Sequence, residues 1–396
     1  MEEFGLKLQK LHQYPFLHAD QKFAMLKQYV WPTMIYDLQM APVGCDIVKD
    51  LRTLDDIVKL FAFDCLRLPG NAPTGFLFAS STKGGLAMPK PSEEYVIQQI
   101  NTAVLLNNSK DVYVKEFRCP EQEINRMLAE VDTKIVPTEM DMLKPRVLGM
   151  KLRAEYREEA FADWSKQKVH GSGVETFQET AISNQWILHR PAALPVNVHL
   201  DMVRSRINWL PVKAVPGCTN DDDRRCRHCR KHSQDAPLET LSHIWGQYDK
   251  VKDMRSARHD RVVEVIAREL KQNEKWEVTV EERTAEGLKP DLIIRAKDKS
   301  KAWIIDPTIR TETTTVEIAD KNNEKVRKYS GVGEELRAEG FKDVFVHGLW
   351  FGARGVVSKV GLALLNSLGI KQSVVEEIVC LILNLSHAMY QMFTKP

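Results

Sequence analysis

Between residues 286 and 310 the chain reads EGLKPDLIIRAKDKSKAWIIDPTIR. Two short apolar runs, DLIIRA and AWIID, flank the polar turn KDKS and read as two strands joined by a turn, which constrains the chain more than any other stretch. Asp291 opens the first run and Asp306 closes the second, so if KDKS makes a hairpin the two carboxylates lie side by side at one end of a sheet. Taken singly, an aspartate at a strand end is commonly a turn residue, and Pro-Asp ahead of a strand is an ordinary turn.

The surrounding elements sharpen the reading. In SARHDRVVEVIARELKQN, Val262, Ile266 and Leu270 recur at helical spacing. WEVTVEE alternates Trp276, Val278 and Val280, as a half-buried strand does. A charged helix follows the hairpin at roughly 316 to 329, and DVFVHGLWFG is a last strand. The C-terminal third therefore predicts an α+β core, a sheet flanked by helices. On the charged helix Lys325 and Lys328 lie three apart and share a face, with Tyr329 beside them. Two carboxylates with open positions between them suit a magnesium ion, to which the Pro307 carbonyl could add a third oxygen. A nearby lysine could orient a water and stabilise a pentavalent phosphate.

The set LKPDLII, AWIIDPTIR and NEKVRKYS resembles the restriction-like endonuclease of site-specific non-LTR retrotransposons, a branch of the PD-(D/E)XK nucleases. The resemblance implies that Asp291 and Asp306 bind Mg²⁺. In that family the lysine migrates from the strand to the following helix. Thr308 at the usual strand position fits this, and Lys325 matches the family lysine, with Lys328 and Tyr329 in the same motif. Glu264, on the preceding helix, stands where these enzymes often carry another acidic metal ligand, although a solvated helix glutamate reads the same. Arg258 and His259 resemble an Arg-His pair of the family and are expected to bind nucleic acid, although His259 could simply cap its helix.

Cys226 and Cys229 form a CxxC within the basic run RRCRHCRK, and His243 follows in LETLSHIWGQ. This resembles the CCHC knuckle ahead of the endonuclease in the same elements, which implies Zn²⁺. The family's fourth ligand falls at Tyr248, and the gap from Cys229 to His243 is expanded. Cys218, His228 or His232 could substitute, or the knuckle has lost its metal and persists through packing. In either case Arg224, Arg225, Arg227, Arg230 and Lys231 are expected to contact phosphates.

Upstream the pattern is helical. Leu51, Leu54, Val58, Phe61 and Cys65 form one apolar stripe, Pro32 interrupts YVWPTMIYDL, and RLPGNAPTGFLFASSTKGGLAMPKP reads as loops and turns. LRLPGNAPTGFLFASSTKGGLAMP resembles the thumb that follows the reverse transcriptase palm, and SNQWILHRP with VRSRINWLPVK resembles the linker before the knuckle. The expected organisation is a thumb-like helical domain at 1–90, a helical linker at 91–197, linker end and knuckle at 198–250, and the nuclease at 251–396.

A polymerase needs paired aspartates on a strand-turn. The acidic pairs here, in TLDDIVK and NDDDRR, lie in a helix and a loop, so no polymerase activity is expected. A formal net charge of +2 confines any nucleic-acid binding to local patches. Seven cysteines without an even framework indicate reduced thiols. MEEFGLKLQKLHQYPF lacks the apolar core of a signal peptide, and IVCLILNL is too short to cross a bilayer. The resemblance implies a nuclear, magnesium-dependent endonuclease that nicks double-stranded DNA to prime reverse transcription. Element RNA and a separate reverse transcriptase are the implied partners, with no membrane. The alternative is a non-catalytic nucleic-acid-binding remnant.

Overall fold

The computed structural model describes residues 2–41, 45–117, 125, 144–215 and 223–395. They form two compact units, 1–166 and 167–396. The first unit is helical. Helix α1 (Glu2–Gln13) buries Phe4, Leu8 and Leu11. Helix α2 (Ala19–Met25) runs through a π-turn at Leu26–Val30 into α3 (Trp31–Met40), whose first turn holds Pro32. The chain therefore stays helical across Pro32, because the widened turn absorbs the missing N–H. Helix α4 (Cys45–Leu66) buries the predicted stripe at Leu51, Leu54, Val58 and Phe61.

The Gly/Pro-rich stretch after α4 is more ordered than its composition suggests. It contains a short helix, α5 (Gly75–Phe78). A Cβ at Gly75 would stand 2.5 Å from the Ala160 carbonyl, so only glycine lets α5 sit against α7 (Pro145–Ser165). Phe76 then meets Trp164 edge to face, ring centres 5.1 Å apart. Helix α6 (Pro91–Asn107) packs along α7 through Ile97, Ile100 and Val104 against Leu148 and Leu152.

The second unit carries α8 (Ile182–Leu188), α9 (Val196–Arg206), α10 (Leu241–Gly246) and α11 (Lys252–Lys271) ahead of the sheet. The strands are β1 (Trp276–Val280), β2 (Leu292–Ala296), β3 (Lys301–Arg310) and β4 (Asp343–Gly352), in the order β1-β2-β3-β4. The first two pairings are antiparallel and β3-β4 is parallel. Between β3 and β4 lie α12 (Thr315–Lys328) and α13 (Ser330–Ala338), and the chain closes with α14 (Lys359–Ser367) and α15 (Gln372–Thr394). This is the expected α+β architecture, a mixed sheet with helices on both faces.

Helices α12 and α13 cover one face, where Ile293, Ala302 and Ile304 pack on Tyr329, Val332 and Leu336. Helix α11 covers the other and packs in turn on α15. Helix α15 is 23 residues long and apolar enough to pass for a bilayer span, longer than IVCLILNL suggests. Its own packing answers that: 61% of its most apolar window is buried inside the protein.

Strand β3 does not end at Asp306, as the sequence predicts, but continues to Arg310. Strand β4 pairs with β3 along its whole length, Lys301 opposite Asp343 through Arg310 opposite Gly352, and so keeps it extended after β2 has stopped. The far end is anchored by a buried ion pair. Glu312 receives the Arg354 backbone N–H at 2.8 Å and its Nε at 2.9 Å, both side chains being almost fully buried. The same guanidinium reaches the Ser172 carbonyl at 3.1 Å and Asn208 Oδ1 at 3.3 Å. A Cβ at Gly173, which has φ +80°, would stand 2.2 Å from the Glu312 carbonyl. Residues 167–210, expected as linker, are thus built into the unit that holds the sheet.

Candidate active site

Antiparallel pairing of β2 and β3 sets Leu292 opposite Ile305. The next pair in that register is Asp291 and Asp306. Directly opposed residues project to the same face with Cβ atoms about 4.5–5.5 Å apart. That face is the one α12 covers, and α12 brings Lys325, and its C-capping residue Tyr329, to the same place. Lys325 Nζ lies 2.8 Å from Asp306 Oδ1, and the Tyr329 hydroxyl donates to Asp306 Oδ2 at 2.7 Å. Lys328 Nζ donates to the Tyr329 hydroxyl at 2.7 Å and stands 3.9 Å from Asp306. All five residues line one cleft of about 480 Å³, with Thr308 and the Pro307 carbonyl on its β3 wall.

The electrostatics separate the two aspartates. Burial pushes the Asp291 carboxyl up; a hydrogen bond from His259 opposes this, and the charge of Asp306 adds to it. Burial acts on Asp306 in the same direction, but the hydrogen bonds from Lys325 and Tyr329 outweigh it and hold that carboxyl below its ordinary range. Tyr329 itself is pushed far up, by burial first and then by Asp306, and stays a proton donor.

His259 neither caps α11 nor stands out in solvent. Its Nε2 lies 3.0 Å from Asp291 Oδ2 and 3.1 Å from the Pro307 carbonyl, and its Nδ1 is 3.1 Å from Asp260. A carbonyl only accepts, so Nε2 carries a proton, and Asp260 favours a second on Nδ1. The hydrogen bond to Asp291 is the largest cause that holds the imidazole up, at about 9. A folded pKa above the unfolded one gives stability that is complete below about pH 6.5 and is lost as pH rises through 9. Chelator-treated protein is expected to lose about 1–3 kcal/mol across that window. His259→Gln should flatten the slope in melts taken from pH 6.5 to 9.5.

Ligand atoms of His259, Asp291 and Asp306 all lie within 4.8 Å of one another. Two carboxylates this close, with a carbonyl oxygen alongside, are a donor set for a hard divalent cation. Glu264 is not part of it: the residue is exposed on α11 and absent from the cleft wall. It lies five positions from His259, well around the helix from the face that meets Asp291. Arg258, expected with His259 as a nucleic-acid contact, is buried. It is 3% exposed and donates to Ser386 Oγ at 2.8 Å, and burial lowers its guanidinium to about 10. It braces α11 against α15 and also lines the carboxylate cleft.

One contributor went unnoticed in the sequence. Gly348 on β4 is directly opposite Asp306. A Cβ there would stand 2.9 Å from Lys325 Cγ and 3.0 Å from Asn322 Cα. The bare backbone lets α12 approach until Lys325 reaches Asp306, while Asn322 Oδ1 accepts the Gly348 N–H at 3.0 Å. A glycine in the middle of the apolar run DVFVHGLWFG is the available signal. Gly348→Val is expected to push Lys325 off Asp306 and to lower any cleft activity by about 10²-fold. The comparison that checks it is a rate assay beside a thermal melt.

The second cluster joins Cys226, Cys229 and His243, whose ligand atoms also lie within 4.8 Å of one another. Cys229 Sγ is 3.5 Å from His243 Nε2, close to the roughly 3.6 Å that two ligands span across a tetrahedral zinc. Those three residues fit a zinc ion. Burial, then Cys226 beside it, raises the Cys229 thiol to about 11. Tyr248 fills the fourth position with a buried ring, stacked on His228 at 5.6 Å and edge-on to Phe393 at 5.1 Å. His228 Nε2 is engaged by the Phe393 carbonyl at 2.9 Å, His232 is exposed, and Cys218 lies outside the described residues.

The basic run is largely committed. Arg227 is bound to the buried Glu239, and Arg225 and Arg230 share Asp223. Arg224 and Lys231 are exposed and make no ion pair among the described residues.

No family profile matches the chain. It is 27% identical over 384 residues, 90% of its length, to the Retrovirus-related Pol polyprotein from type-2 retrotransposable element R2DM of Drosophila melanogaster. It is 25% identical over 393 residues to the Pol polyprotein from type-1 retrotransposable element R2 of Nasonia vitripennis, 96% of this chain. A Popillia japonica R2 Pol polyprotein matches at 26% over 280 residues, 70% of this chain. The chain spans 34%, 35% and 56% of these three relatives. Similarity to retrotransposon Pol polyproteins thus runs over most of the chain.

Proposed function

From this kinship with R2 retrotransposon Pol polyproteins, we propose that the chain is a divalent-metal-dependent DNA endonuclease. Its work is to nick double-stranded target DNA beside the element's RNA and a separate polymerase, in the nucleus. The observation that supports this most is the register that sets Asp291 beside Asp306 with Lys325 2.8 Å from the latter. Asp291, Asp306 and the Pro307 carbonyl would hold Mg²⁺, which when bound supplies positive charge to the phosphate oxygens and a more acidic water.

The protein's own groups do the rest. Asp306, kept ionised by Lys325 and Tyr329, orients the lysine ammonium into the cleft. There Lys325 can donate to a non-bridging phosphate oxygen as charge grows on it during in-line attack by water. Lys328, half exposed and hydrogen-bonded to Tyr329, is placed for the neighbouring phosphate. Protonated His259 ties Asp291 to the Pro307 carbonyl and so fixes the β2 side of the cleft.

Tyr248 at the knuckle's fourth position favours a second reading, a nucleic-acid-binding protein without catalysis. Incubation of the purified chain with supercoiled plasmid, with and without Mg²⁺, separates the two. Open circles that form only with Mg²⁺ are expected. Salt-sensitive binding without nicking would leave the second reading, and absence of both would dismiss the pair.

A further inference from the structure

The two clusters are not independent. Helix α10 carries the zinc-type ligand His243, and its last residues, Trp245 and Gly246, form a wall of the carboxylate cleft. Beyond them the Tyr248 peptide hangs from His243, since the N–H groups of Gln247 and Tyr248 both donate to the His243 carbonyl at 2.9 Å. The Tyr248 carbonyl in turn accepts Arg255 NH1 at 2.6 Å.

Arg255 sits on α11 one turn before His259, on the same face, and lines the same cleft. Among the described residues it makes no ion pair. One of its five N–H donors is taken by the Tyr248 carbonyl, which fixes the plane of the fork and aims the other donors. The frame behind this contact is tied to α15 by hydrogen bonds. Trp245 Nε1 donates to the Ser386 carbonyl at 2.8 Å, and Arg258, one turn along from Arg255, donates to Ser386 Oγ. The Tyr248 ring is buried between His228 and Phe393.

We propose that Arg255 is a DNA-phosphate contact of the nuclease cleft and that the Cys226, Cys229 and His243 centre is its positioning device. On this view the knuckle acts on DNA through the catalytic cleft, and its basic run is secondary. The inference rests on the endonuclease reading for its ligand, a phosphodiester of duplex DNA.

The test is Mg²⁺-free binding of the full chain to a labelled duplex across a salt series. Arg255→Met is expected to lower the slope of log Kd against log salt by about 1, as loss of one phosphate contact does. Cys229→Ser should give the same loss, and the double variant no more than either. An unchanged slope in Arg255→Met, or losses that add in the double variant, would overturn the proposal.

Should Cys229→Ser melt below the assay temperature, linkage supplies a second readout. Duplex should tighten Zn²⁺ retention against a chromophoric chelator in the wild type and not in Arg255→Met. Equal retention with and without duplex, or no bound zinc, overturns the coupling. A chain that does not bind duplex at all overturns this proposal and the endonuclease reading together. Binding without nicking leaves the proposal standing and removes only catalysis.

Discussion

Asp306→Asn is expected to reduce Mg²⁺-dependent plasmid nicking by at least roughly 10²–10³-fold while the protein stays folded. The substitution keeps the shape and one acceptor oxygen, so Tyr329 retains a partner. It removes the charge that Lys325 needs at 2.8 Å and that Asp291 opposes across the hairpin. The stability terms therefore oppose each other: a weakened charge-assisted hydrogen bond, about 1–3 kcal/mol, against relief of like-charge repulsion. Asp291→Asn is expected to behave alike, with His259 loosened in addition. Nicking assays beside thermal melts check both. Full nicking by either asparagine variant would dismiss the carboxylate pair as the centre of the chemistry. A lost signal with a collapsed melting temperature would point to folding instead.

The second large effect concerns stability. Glu312→Gln leaves Arg354, 1% exposed in its side chain, without its counter-ion, and is expected to cost about 3–5 kcal/mol in denaturant melts. Arg354→Met should cost a similar amount by stranding Glu312. Replacing both with apolar residues should cost less than the sum of the two. The pair is rooted on the Ser172 carbonyl and Asn208, so the sheet depends on residues far upstream. A fragment from 251 onward is expected to remain unfolded, whereas one from 167 should melt cooperatively. Cooperative melting of the shorter fragment would show that the sheet folds without residues 167–250.

Why the boundary was illegible is clear from these residues. Glu312 and Arg354 are charged, and charged residues in isolation read as solvent-facing; no local pattern marks a pair separated by 42 positions as buried. Arg206 misleads in the same way: it lies fully buried against Phe177 and Trp186, where burial lowers it to about 9. Glu264 misleads for a related reason. Helical phase was readable, but which face met the sheet was not, and a quarter-turn decides whether a charge is core brace, site residue or solvent.

The β2-β3 turn, the period-2 strands and the apolar stripe of α4 were legible in the sequence. These follow from short-range spacing, and spacing survives any change of tertiary context. The carboxylate pair and the shared face of Lys325 and Lys328 follow from it as well, whereas the choice of Lys325 and the set Cys226, Cys229 and His243 are what the family resemblance implies. Tertiary structure alone decided three things. The parallel ladder of β4 carried β3 past Asp306. The bare backbone of Gly348 let α12 close on that aspartate. The Tyr248 carbonyl bound the Cys/His cluster to the cleft through Arg255. Each depends on backbone groups or on an absent side chain meeting a distant element, and neither leaves a periodic trace in the sequence.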